Sequence, residues 1–211
     1  EGTDMRLMRR GIVAFATILS QTDQNDAALD LINLTFGDDL DPALTVLRET
    51  LEAGEVAPFT AITEASDGVA EVLFSIGAAL SGEATPAYTL LYTRFALSLR
   101  PDHIVAILLT AELLEDLESY GLATNVYDAV APNDPSFHAA ELGRANALER
   151  AGEADDAVDV LTQLSLSHGD IPSVHIALAD TLRRQERYAE ASPVYDRAIE
   201  LLGDPEQSLW V

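Results

Sequence analysis

Along much of the chain, small and large apolar residues return at one fixed interval. Windows opening at Ala70, Ile104, His138 and Pro172 lie 34 residues apart and align without a gap. The eighth place holds Gly77, Ala111, Ala145 and Ala179, and the twentieth holds Thr89, Ala123, Ala157 and Ala191. Leu80, Leu114, Leu148 and Leu182 fill the eleventh place. Thr93, Tyr127, Leu161 and Tyr195 fill the twenty-fourth, and Ala96, Val130, Leu164 and Ala198 the twenty-seventh. This pattern predicts a helix–turn–helix unit. Small residues at the eighth and twentieth places let two antiparallel helices approach closely, and the larger residues fill the space around that contact. Pro101 and Pro135, or Gly169 and Gly203 with Pro172 and Pro205 close behind, end each second helix. Asp102, Asp134 and Ser173 stand where N-caps are expected.

Upstream the register degrades. A window from Arg9 places Ala16, Leu19, Ala28 and Ile32 at the pattern positions and predicts helices near 6–20 and 25–35. Asp41-Pro42 reads as an N-cap followed by proline at the first helical position, opening a helix through Leu51 that Gly54 closes. Residues 55–68 show no helical period, and Phe59 and Ile62 suggest a strap on the surface of the array. Two readings of the strap stay open: it replaces a missing second helix, or it covers a groove. At the other end, Leu209, Trp210 and Val211 look like the opening of another helix in 206–211. Repeat arrays need a polar terminal helix, so the expectation is a fragment of a longer repeat protein, or an end covered by a partner or second copy.

Composition narrows the class. Hydrophobic residues make up 48% and aromatics 6%, so the core is mainly Ala and Leu, which favours helix over sheet. Asp and Glu number 36 against 12 cations, all of them Arg, for a net charge of −24. Such a surface repels phosphate and anionic lipid, which excludes nucleic-acid binding and charge-driven membrane binding. Absence of Cys removes disulfides and thiolate chemistry, and absence of Lys removes Schiff bases and the phosphate-loop lysine. No apolar stretch reaches the roughly 18 residues of a membrane span. Met5 to Arg10 and the apolar run Gly11–Leu19 imitate a leader, but Ala14 and Ala16 lie inside the run and a buried helix is the expectation. The Ala-, Asp- and Arg-rich, Lys-free composition suggests a GC-rich bacterial genome and leaves cytoplasm and periplasm equally open.

Few residues offer chemistry. His103, His138, His168 and His175 lack a partner at helical ligand spacing; His138 and His175 fall in first helices of different hairpins, and a structural role is expected. Asp38-Asp39, Glu115-Asp116 and Asp155-Asp156 are adjacent and face apart on a helix. Asp23, Asn25 and Asp26 are a faint calcium-loop pattern without its later Gly and Glu, so a capping loop is the better reading. No nucleophile elbow or dinucleotide fingerprint is present. The expectation is a chain without enzymatic activity, metal or cofactor.

The 34-residue period and its small/large pattern resemble the tetratricopeptide repeat family. The last window matches best, through Ala179, Leu182, Tyr188, Glu190-Ala191, Tyr195, Ala198-Ile199 and Leu201. The resemblance covers 70–205, about two-thirds of the chain, as repeats 70–103, 104–137, 138–171 and 172–205, with residues 1–69 as degenerate helices of the same kind. It departs at the fourth place (Leu73, Ile107, Glu141, His175) and at the seventh (Thr110, Arg144), where looser hairpins are expected. The resemblance implies an all-α fold: an α-solenoid of antiparallel hairpins in a right-handed superhelix, with first helices lining a concave groove. Transferred to this sequence, the groove positions include apolar Phe74, Leu108, Leu109, Leu142 and Ile176, and polar Glu112, Asn146, Asp180, Arg150, Arg183 and Arg184. Exposed apolar patches of that kind mark interaction sites, and the Arg residues give the groove a basic end. A neighbouring helix or the strap filling the apolar floor is the competing reading. The Lys-based clamp that some family members use for a carboxylate is absent. The leading reading is a scaffold that binds a protein or peptide, apolar with a basic middle and an acidic end or carboxylate at Arg183 and Arg184. The alternatives are a substrate-recognition region of a larger enzyme, such as a glycosyltransferase, and a module that self-associates through its C-terminal hairpin.

Overall fold

The computed structural model describes residues 2–37, 40, 42–59 and 62–203, with the side chains of 2–8 and 42 excepted. Among the described residues there are eleven helices and no strand. The helix opening at Leu209–Val211 and the Asp41 cap lie outside them. The chain forms two compact units, 1–109 and 110–211, and the division falls within a helix. No helix among the described residues is long and apolar enough to cross a membrane.

The first unit holds α1 (Gly2–Gln21), α2 (Asn25–Phe36), α3 (Pro42–Glu52), α4 (Ala65–Leu80), α5 (Pro86–Leu99) and the start of α6 (Ile104–Asp116). Ala16 and Ala28 meet at the contact of α1 and α2, with Ile32, Leu51 and Ala57 around them. The beginning of the strap belongs to this core. The Ala57 amide donates to Ser20 Oγ at 2.9 Å, and Gln21 Nε2 donates to the Ala57 carbonyl at 2.5 Å. Asn25 Nδ2 donates to the Glu55 carbonyl at 2.9 Å, so Asn25 ties the segment after α3 to α2. The N-cap of α2 is Gln24, which makes no side-chain cap bond, so the expected side-chain cap is not formed.

Helix α4 starts at Ala65, inside the segment that lacks helical periodicity. The cause is local hydrogen bonding, not apolar spacing. Asp67 Oδ2 accepts from the Thr63 hydroxyl (2.7 Å) and amide (2.8 Å) and from the Glu64 amide (3.0 Å). These three donors hold the Asp67 carboxyl down at about 2. Helices α4 and α5 then approach at Gly77, where a Cβ would lie 3.0 Å from Thr93 Cγ2.

The second unit holds the rest of α6, α7 (Tyr120–Tyr127), α8 (Phe137–Ala151), α9 (Ala154–Ser167), α10 (Pro172–Arg184) and α11 (Tyr188–Leu202). The small residues of the pattern are in its core: Ala111, Ala123, Ala145, Ala157, Ala179 and Ala191 are all buried. Leu148, Leu161, Leu178 and Leu182 pack around them. Each such Leu contributes roughly 2 kcal/mol of burial. Three of the tight turns use a left-handed residue at the same place of the repeat, Glu118 (φ 55°), Gly152 (φ 85°) and Glu186 (φ 61°). Only the glycine adopts this conformation without a Cβ penalty.

Several local expectations change. Helix α7 stops at Tyr127, well before Pro135. The chain turns instead through bonds from the Ala129 and Val130 amides to the Val126 and Tyr127 carbonyls, at 3.2 and 3.1 Å. Pro132 disfavours a helical Ala131 and so rules out a longer helix. At the start of α6 the cap is His103, whose Nδ1 accepts the Ala106 amide at 3.2 Å, while Asp102 faces Arg100. Ser173 lies inside α10, whose N-cap is Ile171 and whose first residue is Pro172. Asp134 does accept the Ser136 amide just before α8, at 2.7 Å.

The two departures in the third window satisfy one another. Glu141 is buried and accepts from Arg144 Nε at 2.8 Å and Nη2 at 2.6 Å. A carboxylate at the place of a large apolar residue is thus matched by a guanidinium at the place of a leucine. His175, also buried, reaches the Gly169 carbonyl at 3.0 Å. Thr110 alone keeps a buried hydroxyl with no partner.

Candidate functional site

In the second unit, helices α6, α8 and α10 bring residues predicted for the groove into a chain of polar contacts. Glu115 on α6 is only 7% exposed. Its Oε1 accepts from the Tyr127 hydroxyl at 2.8 Å, and its Oε2 accepts from Asn146 Nδ2 on α8, also at 2.8 Å. Arg150 Nη1 stands 3.6 Å from the same Oε2, with its guanidinium 4.6 Å above the Tyr120 ring. Burial, and the bond to Glu115, push the Tyr127 hydroxyl well above its ordinary range.

The same arrangement recurs one repeat later. Arg184 on α10 makes a two-pronged contact with Glu149 on α8, with Nε donating to Oε1 at 2.9 Å and Nη2 to Oε2. Glu115–Arg150 and Glu149–Arg184 are each 35 residues apart, one repeat plus one. An acid at the twelfth place is thus gripped by the arginine at the thirteenth place of the next repeat. Hydrogen bonding to Glu149 raises Arg184. Asp180 accepts from the Tyr195 hydroxyl on α11 and faces Arg183 Nη2 at 3.5 Å. Arg183 Nε also donates to the Tyr195 oxygen at 3.2 Å, and that bond raises Arg183.

The three arginines predicted for a basic end are therefore members of ion pairs. Arg150, Arg183 and Arg184 each face an acid, while keeping side-chain exposures of 45, 53 and 50%. Asn146 and Glu112 are exposed and Leu142 is half-buried against the core. Ile176 is 37% exposed and is the apolar predicted residue most open to solvent. Gly143, next to Leu142 on α8, has a packing task. A Cβ there would lie 2.5 Å from Tyr127 Cζ, so its bareness makes room for the buried ring. Sequence reasoning did not single out Glu115 and Glu149 as the acceptors. The signal was an acid followed 35 residues later by Arg, twice.

In the first unit the predicted apolar floor is closed. Phe74 is 2% exposed and Leu109 is 5% exposed, while Leu108 is half-buried. A neighbouring helix covers Phe74: the Arg10 guanidinium of α1 lies 4.5 Å from the ring centroid, and the His103 ring 4.9 Å away. Glu71 gathers the charges here. It accepts from Arg10 and stands 3.1 Å from His103 Nε2 and 3.7 Å from Arg100 Nη1. Burial works to raise the Glu71 carboxyl, but its bonds to His103 and Arg10 outweigh it and the net shift is downward.

Elsewhere, His138 and His168 rings lie 6.1 Å apart. Among the described residues, no cluster of three His, Cys, Asp or Glu side chains is arranged to hold a metal ion.

A family model described as tetratricopeptide repeat matches residues 174–209. No curated protein matches the sequence. Solved structures of MamA share the fold. The fragment from residue 41 to the end, from Desulfovibrio magneticus RS-1, is 17% identical, with 96% of this chain and 97% of that one covered at a TM-score of 0.56. A second MamA crystal structure is 10% identical, covering 91% of this chain and 95% of that one at a TM-score of 0.57. At these identities the likeness speaks for the fold alone: the chain is an all-α, tetratricopeptide-like helical repeat protein with a recognisable repeat at its C-terminal end.

Proposed function

We propose that the chain is a non-enzymatic scaffold that binds a protein or peptide on the face formed by α8 and α10. The observation that carries this reading is the exposure of Ile176 beside half-exposed Arg183, Arg184 and Asp180. An apolar residue ringed by ion pairs is the pattern of a contact surface: the apolar centre drives association and the polar rim sets specificity. The repeat fold supports a protein-interaction role. The favoured partner segment presents an apolar side chain to Ile176 and an acidic group to Arg183.

Ile176→Glu and Arg183→Glu test the reading by affinity capture from the source organism with mass-spectrometric identification. Specific captured proteins are expected to be lost with both variants while the helical circular dichroism is retained. Capture unchanged by either variant counts against this face. Arg184 is a poorer probe, because its two-pronged contact with Glu149 ties α10 to α8, whereas Arg183 pairs within its own hairpin. A second reading, self-association through α11, is favoured by the exposure of Ile199 and Leu202. Light scattering across a dilution series tests it, and a strict monomer at high concentration argues against it.

A further inference from the structure

The repeat pattern sets one helix of the first unit apart from its counterparts. Helix α5 packs on α4, with Thr89, Thr93 and Ala96 buried. The side it turns to solvent holds Tyr88, Leu91, Phe95 and Leu99, each 40 to 51% exposed. In the third repeat the same four places hold Asp156, Asp159, Gln163 and Ser167. Neither of the other two repeats has more than one Leu, Ile, Val or aromatic residue at these places. Places that are mainly polar elsewhere are thus large and apolar on this helix alone, and a concentrated exposed apolar stripe marks an interaction surface.

The charge is inverted as well. Helix α5 carries no acid, and its one ionic residue is Arg94, at the place that Asp128 and Asp196 occupy in other repeats. Arg94 is exposed and makes no hydrogen bond or ion pair among the described residues. On the last hairpin, by contrast, Arg187 faces Glu190 at 2.7 Å and Arg197 faces Glu200 at 3.1 Å. In a chain with 36 acids, an arginine left without one stands ready for a carboxylate from outside.

The spacing says what shape of partner fits. Tyr88, Leu91, Phe95 and Leu99 follow at intervals of three, four and four residues and form one stripe roughly 16 Å long. A second helix laid along such a stripe covers it by interdigitating side chains. Tyr88 and Tyr92 brace each other, with ring centroids 5.5 Å apart and hydroxyls 3.0 Å apart, so part of the surface is ordered before anything binds. A second copy of α5 is a poor occupant. Two-fold pairing centred on the stripe sets Arg94 against Arg94, with no acid on either helix to separate them.

We propose that the solvent face of α5 docks an amphipathic helix of a protein partner, with apolar side chains at matching spacing and a carboxylate beside them for Arg94. This surface is separate from the α8–α10 face and stands or falls without it.

Two synthetic peptides of one composition are the probes, added to the full chain labelled with ¹⁵N. Both carry a helical leucine stripe. In the first, glutamates flank the stripe and lysines lie opposite; in the second, the two are exchanged, so net charge is the same. Saturable amide shifts are expected along α5, with the first peptide binding about fivefold tighter than the second. Arg94→Glu is expected to invert that order, and Arg94 has no internal partner to lose. Phe95→Ser is expected to weaken the first peptide at least about tenfold. No saturable shifts on α5, or an order unchanged in Arg94→Glu, overturns the proposal. So does undiminished binding to a folded Phe95→Ser. Shifts on α5 that grow with protein concentration alone, with a doubled mass in light scattering, assign the face to a second copy and overturn the partner assignment.

Discussion

The two units use the same pair of residues in opposite ways. In the second unit, Glu115 and Glu149 are each met by an arginine of the following repeat, one acid to one guanidinium. In the first unit, Arg10, Arg100 and His103 all converge on Glu71. Exposure separates them further. The ladder arginines are about half exposed, whereas Arg10, Arg100 and Glu71 have side-chain exposures of 21, 19 and 19%. A distributed, solvated ladder shares its load and offers a surface. A convergent, half-buried cluster makes one residue indispensable.

The largest expected effect comes from removing the shared acid. Glu71→Ala leaves the half-buried Arg10 guanidinium without its acceptor and should cost about 3 kcal/mol, read as a lower urea midpoint for the transition of the first unit. Breaking the ladder from inside is the next test. Gly143→Ala drives a methyl into the Tyr127 ring and pulls its hydroxyl from Glu115, at a cost of about 2 kcal/mol in the second unit's transition. The ion pair itself should matter less: Glu149→Ala, with Arg184 half in water, should stay within about 1 kcal/mol of wild type. A loss as large as that at Glu71 would erase the distinction drawn here.

Acid should also tell the regions apart. The Asp67 carboxyl is held at about 2, below the ordinary carboxylate value of about 3.9. A depressed folded-state value means the stabilisation is complete above the unfolded value and is lost as the pH falls through the folded one. Amides in the first turn of α4 should therefore lose hydrogen-exchange protection between roughly pH 4 and pH 2. Asp67→Asn should abolish that step, and a step that survives in the variant would assign it to another group. The smallest effect expected is a gain. Glu118→Gly or Glu186→Gly relieves a left-handed non-glycine residue and should raise stability by about 0.5 kcal/mol, whereas the same change at an ordinary helical position would lower it.

The hairpins of the second unit were readable because their signal is repeated. Ala111, Ala145 and Ala179, like Ala123, Ala157 and Ala191, are buried through a steric rule that any one window states and the others repeat. The start of α4 was not readable by the same means. It depends on Asp67 collecting three donors from Thr63 and Glu64, a bond pattern with no periodicity. The candidate site was legible only as a set of positions. Leu142, Asn146, Arg150, Ile176, Asp180, Arg183 and Arg184 fall on α8 and α10, but the sequence does not say which of them is buried or paired. Phe74 shows why: its place in the repeat allows exposure, yet α1 lays Arg10 over it, and nothing within its own hairpin encodes that cover.

What the sequence determined by itself was everything governed by short-range sterics: helical class, the hairpin contacts and the breaks between them. Small residues at fixed spacing permit one kind of close approach, and proline and glycine end helices wherever they stand. Tertiary structure alone decided the electrostatics. Twelve arginines among 36 acids can pair in many ways, and the choice depends on distances of a few ångströms between residues as far as 61 positions apart. Coulomb energy and desolvation change steeply over such distances. The same two residue types therefore became a solvated ladder in one unit and, in the other, a half-buried cluster around one acid.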